Sequence, residues 1–241
     1  MSGYVDLHCH YLPGIDDGAR TLDEGLHILT GLAKIGYSTV VATPHIRTAM
    51  FDNRKPGLDA SYAELTAIAR DVPRMPQTGL AAEHYCDDVF WQLFCDGQAM
   101  PYPGGKAALV EFHYEHWPRR VEDRFFEMQI QGVRPVLAHP ERYSALFSNT
   151  DPIDPLLEVG AVALLDLMSL VGRYGRRSQR AAERMLDEGV YYAACTDSHR
   201  PGDVERVAEA IARLRSLVGA EETDELLAEN PRRILSGDVE L

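Results

Sequence analysis

Basic residues are scarce: 24 Lys and Arg stand against 37 Asp and Glu among 241 residues, a formal net charge of −13. No basic cluster of more than two or three residues offsets this locally, which argues against nucleic-acid binding by phosphate neutralisation. Cysteine is also sparse. Cys9, Cys86, Cys95 and Cys195 form no CxxC pair, and with no secretory signal pattern in the chain the expectation is reduced thiols in a soluble, cytoplasmic protein. A long hydrophobic run is lacking too. The longest apolar stretch, around Val159 to Val171, is broken by Asp166 and fits a strand better than a membrane span, so no membrane insertion is expected. Internal repeats, low-complexity segments and linker-like breaks are absent, and one domain over residues 1–241 is the expectation. What remains is 45% apolar and 25% charged, the balance of an ordinary globular protein with an ample core.

Strand-like and helix-like runs alternate at roughly 25 to 35 residues, the cadence of a parallel sheet or barrel. Strands are expected at Val5 to His10, Ser38 to Pro44, Gln77 to Tyr85, Ala107 to Phe112, Val133 to Ala138, Val162 to Leu167 and Val190 to Thr196. Helices are expected at Leu22 to Ile35, Asp59 to Val72, Asp87 to Phe94, Arg120 to Ile130, Pro155 to Val159, Arg176 to Asp187, Asp203 to Val218 and Glu222 to Glu229. Thr21 and Glu24 form a capping box at the start of the first helix, and Gly36 ends it.

Chemistry-bearing residues gather where those strands end. In an extended strand residues i and i+2 share a side, so His8 and His10 can close on one ion, although a single HxH is a weak motif. Asp197 and His199 repeat that geometry. His45 and His139 stand beside prolines at strand exits, where a lone histidine is more often a hydrogen-bonded loop residue. Glu83 and Glu111 sit in strands, and Glu111 among Ala, Leu, Val and Phe is costly to bury unless a charge compensates it. In a (β/α) barrel the C-terminal strand ends form one face, where active sites are built.

Five strings carry a resemblance: His8-x-His10, the turn Leu12-Pro13-Gly14-Ile15-Asp16-Asp17-Gly18, Ala42-Thr43-Pro44-His45, Ala138-His139-Pro140-Glu141-Arg142 and Thr196-Asp197-Ser198-His199. They resemble the PHP (polymerase and histidinol phosphatase) superfamily, and more narrowly the CpsB/CapC/YwqE type of bacterial protein tyrosine phosphatase from capsule and exopolysaccharide clusters. The resemblance implies a distorted, TIM-like (β/α)7 barrel, the PHP fold, with its site at the C-terminal strand ends. It implies three divalent metals, manganese first, with iron, magnesium or zinc as alternatives. His8, His10, Glu83 and Asp197 would hold one; Glu83, Glu111 and His139 a second; Asp16, His45 and His199 the third, with Asp17 the alternative to Asp16. Four carboxylates and five neutral imidazoles leave three divalent ions a net charge of +2, which suits a phosphate monoester of up to two negative charges.

The implied activity is metal-dependent phosphomonoester hydrolysis, acting on phosphotyrosine in a protein such as a tyrosine autokinase of polysaccharide export. The expected chemistry is in-line attack on phosphorus by a hydroxide held between two metals. An arginine would stabilise the charge on the equatorial oxygens. Arg142 is the first candidate, Arg206 or Arg200 the second; Asp16 is counted with the catalytic residues, and Arg47 and Arg200 with Arg142 as substrate-binding. A tyrosine leaving group, with a pKa of about 10, departs with less help than an alkyl alcohol. Cysteine-based phosphatase chemistry is excluded: the sixth residues after the four cysteines are Ile15, Gln92, Pro101 and Pro201, none an arginine. Cys9 should face away from His8 and His10 in a packing role. Two alternatives remain open, a small-molecule phosphatase of histidinol-phosphate or nucleotide type on the same fold, and a non-catalytic metal-binding regulator.

Overall fold

The computed structural model describes residues 3–239; Met1, Ser2, Glu240 and Leu241, within the expected 1–241 domain, lie outside the described residues. The elements run β1 (Tyr4–Cys9), α1 (Leu22–Lys34), β2 (Tyr37–Ala42), β3 (His45–Ile46), α2 (Lys55–Ala69), β4 (Gln77–Leu80), β5 (Glu83–Tyr85), α3 (Asp88–Cys95), β6 (Ala107–Glu111), α4 (Val121–Ile130), β7 (Arg134–Ala138), α5 (Asp154–Glu158), β8 (Val162–Asp166), α6 (Arg176–Asp187), β9 (Tyr191–Cys195), α7 (Asp203–Asp224) and α8 (Asn230–Ser236).

All strand pairings are parallel, in two sheets ordered β1-β2-β4 and β3-β5-β6-β7-β8-β9. The strand expected over 38–44 stops at Ala42 and its path resumes after Thr43-Pro44 as β3, and the one expected over 77–85 is interrupted at Ala81-Ala82. Proline has no N–H to give a ladder. Across the breaks Ala81 donates to the Ala42 carbonyl and Glu83 to that of Pro44, so β2/β3 and β4/β5 behave as two bent strand paths. Seven paths result. The far edges meet where Asp197 donates to the His8 carbonyl and His10 to that of Ser198, both at 2.9 Å. This is a distorted (β/α) barrel arrangement.

Alternation along the strands separates two packed layers. Ala107 and Leu109, Val136 and Ala138, Val162 and Leu164, and Ala193 and Cys195 belong to an inner cluster with Val5 and Leu7. The intervening Ala108, Val110, Leu137, Ala163, Leu165 and Ala194 pack with the helices. Glu111 and Asp166 continue the inner parity at the C-terminal ends of β6 and β8, which places both carboxyls over the inner core. Cys9 lies in the helix-side cluster, the packing position expected of it.

The helices follow their sequence signals with local differences. Thr21 accepts from the Glu24 N–H at 3.2 Å, but the Glu24 carboxylate receives the Arg20 N–H at 2.9 Å instead of that of Thr21. Helix α2 begins at Lys55, four residues before the expected start, because Pro56 fits the first turn. Gly219, at φ 88°, breaks α7 between the two expected helices. A π-turn over Glu225–Glu229 then leads into α8, which was not among the expected helices.

Candidate metal centre

The strand ends bring eight of the nine expected ligands into one buried cluster. His8 and His10 face each other with Nε2 atoms 3.0 Å apart. The His8 Nε2 also lies 3.1 Å from Glu83 Oε2 and 3.2 Å from Asp197 Oδ1, and the corresponding distances from His10 are 3.4 and 3.3 Å. Glu83 is the hub: its Oε1 meets His139 Nε2 at 2.9 Å, while Oε2 meets His45 Nδ1 at 3.0 Å. Glu111 Oε1 is 3.2 Å from the same His45 nitrogen. His139 therefore groups with His8 and Glu83, and Glu111 groups with His45 and Glu83. A fourth donor group joins His10, Asp17, His45 and His199.

Asp16 stands apart from the other eight. None of the donor groups among the described residues includes it. Its Oδ2 pairs with His10 Nδ1 at 2.8 Å and accepts the His45 N–H at 3.0 Å, while Oδ1 accepts the Gly18 N–H at 2.8 Å. With its oxygens so committed, Asp16 orients the His10 imidazole and anchors the His45 backbone. Asp17, the neighbouring alternative, reaches toward His199 Nε2 at 3.3 Å and His45 Nε2 at 3.5 Å. In a turn successive side chains diverge, and here the neighbouring Asp16 and Asp17 meet different partners.

Two cluster residues hold backbone conformations that non-glycine residues rarely adopt. His139 has φ 34° and Asp197 φ 46°. Such strain collects where surrounding structure forces a side chain into a functional direction.

The electrostatics of the cluster call for cations. Buried atoms without a hydrogen-bond partner include Glu83 Oε2, both Glu111 oxygens, Asp197 Oδ1, His8 Nδ1, His45 Nδ1 and His139 Nδ1. Buried carboxylate oxygens and imidazole nitrogens left in this state are expensive. Burial alone would raise the Glu83 carboxyl, but His8, His45 and the bonds from His10 and His139 hold it well below the usual carboxylate range. Burial, reinforced by Glu83, pushes Glu111 up. For His139, burial and then Arg142 lower the imidazole to about 4, which keeps it in the neutral form that ligates metals. The donor set of imidazole and carboxylate, with no thiolate, fits borderline and hard divalent ions. On these observations the residues present fit the metals that the resemblance implies.

The arginines differ sharply in placement. Arg142, only 14% exposed, sends Nη1 to Asp197 Oδ2 at 2.5 Å and to Asp166 Oδ2 at 3.4 Å, and Nη2 to the Tyr114 hydroxyl. Its guanidinium lies 4.2 Å from the Tyr174 ring centroid. Arg47 approaches from the other side, 3.9 Å from Glu111 Oε1 and 4.3 Å over the Tyr85 ring. Arg200 borders the site but donates to the Gly18 carbonyl and lies 3.8 Å from Glu24. Arg206 is exposed on α7 and makes none of the bonds that tie the cluster among the described residues. A cavity of about 300 Å³ opens beside the cluster, lined by Asp17, Arg142, Tyr174, Asp197, His199 and Arg200 among others.

Phe51, Tyr114 and Tyr174 had no separate reading from sequence. Phe51 stacks on His45 with the ring planes 8° apart. Tyr114, Tyr174 and Asp166 surround Arg142; only Asp166 left a sequence signal, an acid interrupting an apolar strand just as Glu111 does. His113 and His116 stack on each other at the rim, 4.6 Å apart. His27 is exposed on α1, and His84 is buried between the Leu109 carbonyl and the Met100 N–H.

A family model described as capsular polysaccharide synthesis, CpsB/CapC, matches residues 4–236. The tyrosine-protein phosphatase YwqE of Bacillus subtilis (strain 168) is 28% identical over 197 residues, covering 81% of this chain and 77% of that protein. The tyrosine-protein phosphatase CpsB of Streptococcus pneumoniae is 25% identical over 242 residues, covering 96% and 98%. A crystal structure from work on those two proteins, described as unique metal-dependent tyrosine phosphatases, superposes with a TM-score of 0.90 at 25% identity, covering 98% of this chain and 96% of the other.

Proposed function

We propose, from the premise that this chain belongs to the CpsB/CapC family of capsular polysaccharide synthesis, that it is a metal-dependent phosphatase removing phosphate from tyrosine in proteins. The observation that carries this reading is the convergence of buried, unpartnered carboxylate oxygens with imidazole nitrogens at the strand ends, beside two arginines. We assign three divalent metals, manganese first. His8, His10, Glu83 and Asp197 would hold one, Glu83, Glu111 and His139 another, and Asp17, His45 and His199 the third. Bound there, the metals would lower the pKa of water toward neutrality and offset charge on the phosphoryl group.

The chain's own residues supply the rest. Arg142 and Arg47 flank the cluster from two sides and can donate to equatorial phosphoryl oxygens, whose charge grows in the transition state. Asp16 holds the His10 ring in direction and pins the His45 backbone. Tyr114, at the rim on the β6–α4 connection, borders the approach of an aryl group. No strong acid is needed at the leaving oxygen, since tyrosinate departs with a pKa of about 10. The protein substrate we assign is a tyrosine autokinase of polysaccharide export, with residues 1–241 acting as one unit. A substrate panel with Mn²⁺ and with chelator tests the reading. Turnover of phosphotyrosine peptides well above phosphoserine and histidinol phosphate is the expected result; efficient turnover of histidinol phosphate would overturn it.

A further inference from the structure

Asp166 occupies the one strand end in the barrel, that of β8, to which nothing above assigns a part in the reaction. Its side chain is fully buried, yet it belongs to none of the donor groups that could hold a metal. Its Oδ1 accepts the Met168 N–H at 2.9 Å, and its own N–H donates to Glu141 Oε1 at 3.1 Å, so both backbone and carboxyl are fixed. The one cation it meets in an ion pair among the described residues is Arg142, at 3.4 Å. A buried carboxylate persists when a charge compensates it.

The other anchor of Arg142 is of a different kind. Asp197 is divided, with Oδ1 facing His8 and His10 and Oδ2 on the guanidinium. A phosphate dianion arriving at the cluster competes for Nη1, which Asp197 and Asp166 share, and for Nη2 with the Tyr114 hydroxyl. An arginine held by Asp197 and Tyr114 alone would leave its place to follow the substrate. Asp166 does not border the cavity beside the cluster and is locked by its own bonds.

We propose that Asp166 is a positioning residue of the phosphatase site, whose buried carboxylate keeps the Arg142 guanidinium at the edge of the donor cluster when a phosphoryl group competes for it. This rests on the functional reading above for its meaning but not for its measurement. The experiment compares the Mn²⁺-loaded wild type with Asp166→Asn, Arg142→Gln and the double variant. It reads inorganic phosphate affinity by calorimetry, KM and kcat on a phosphotyrosine peptide, bound metal per chain, and melting temperature. Asp166→Asn is expected to weaken phosphate binding and raise KM by about 10- to 100-fold, the range for residues that orient a functional group, with metal content unchanged. In the Arg142→Gln background the same change should have almost no further effect, because residues acting through one group are non-additive.

Additive losses, or loss of metal with Asp166→Asn, would overturn the proposal. If Asp166→Asn does not fold, Asp166→Ser keeps an acceptor for the Met168 N–H and replaces it in the cycle; failure of both to fold would assign Asp166 to the fold alone and also overturn the proposal. Should the wild type fail to hydrolyse phosphotyrosine while phosphate binding still depends on Asp166 through Arg142, the functional reading falls and the positioning role stands.

Discussion

Arg142 concentrates more opposing demands than any other side chain near the cluster. It is nearly buried, touches two carboxylates and lies against two tyrosine rings, a geometry in which a planar, forked cation is not interchangeable with lysine. Arg142→Lys is expected to lower kcat/KM on phosphotyrosine peptides by about 100-fold or more, the scale for losing a preorganised charge donor, and steady-state kinetics check it. Glu141, one residue earlier in sequence, makes a separate prediction about stability. Burial pushes its carboxyl up to about 7, although bonds from Ser169 and Tyr191 partly oppose this. A raised folded-state value means that the native protein holds this proton where the unfolded chain has released it. The associated stability is full below the unfolded value near 4.5 and is lost as pH rises through about 7. Glu141→Gln removes that loss, so its melting temperature relative to wild type should be higher at pH 8 than at pH 5. A difference that does not change with pH would contradict the assignment. At this scale the sequence was informative wherever a residue type clashed with its surroundings. Glu111 in an apolar strand and two histidines at i and i+2 declared themselves. Asp16 and Asp17 could not be separated, because a turn has no periodicity from which side-chain direction can be read.

The Gly14–Gly18 turn shows how an element holds the site together. It is tied down by the Gly14 N–H to the Ala19 carbonyl and by the Ala19 N–H to that of His10. Gly18 approaches so closely that an added Cβ would meet the His10 carbonyl oxygen at 2.2 Å and Asp16 Oδ1 at 2.8 Å. Gly18→Ala must therefore displace the turn that carries Asp16 and Asp17. We expect weaker metal binding and lower turnover while far-ultraviolet circular dichroism remains that of the folded protein; undiminished metal affinity would contradict this role. Helix α1, farther from the chemistry, should respond in stability. Thr21→Ala removes its cap and should cost about 1 kcal/mol in chemical denaturation. Element identity was legible from alternation and capping, but the two interrupted strands were not. Their breaks at Thr43-Pro44 and Ala81-Ala82 follow from how the ring of strands bends, a tertiary condition that local propensity does not encode. Helix α8 carries end signals of its own, Pro231 in its first turn and Gly237 just past its end, on a run too short for apolar periodicity to mark.

At the scale of the whole molecule, six of the seven strand paths deliver donors from residues 8 to 199 to one place, and the cluster makes physical sense when cations balance its carboxylates. Folding and metal loading are then linked, since ions that bind only the native cluster stabilise it by mass action. The sequence conveyed this architecture through its cadence and through acids and histidines recurring at strand exits. It conveyed less about the arginines, because Arg142, Arg200 and Arg206 differ in burial and direction, and position in the chain does not reveal either. The central claim is that these donors form the metal site of a tyrosine phosphatase. The most direct test is the rate of phosphate release from a phosphotyrosine peptide by wild type and His139→Ala, each measured with Mn²⁺ and after chelation. The account predicts Mn²⁺-dependent turnover by the wild type, abolished by chelator and restored on adding Mn²⁺ back, with His139→Ala folded but lower in activity by at least about 100-fold. Turnover that survives chelation, or that is unaffected by His139→Ala, would contradict it.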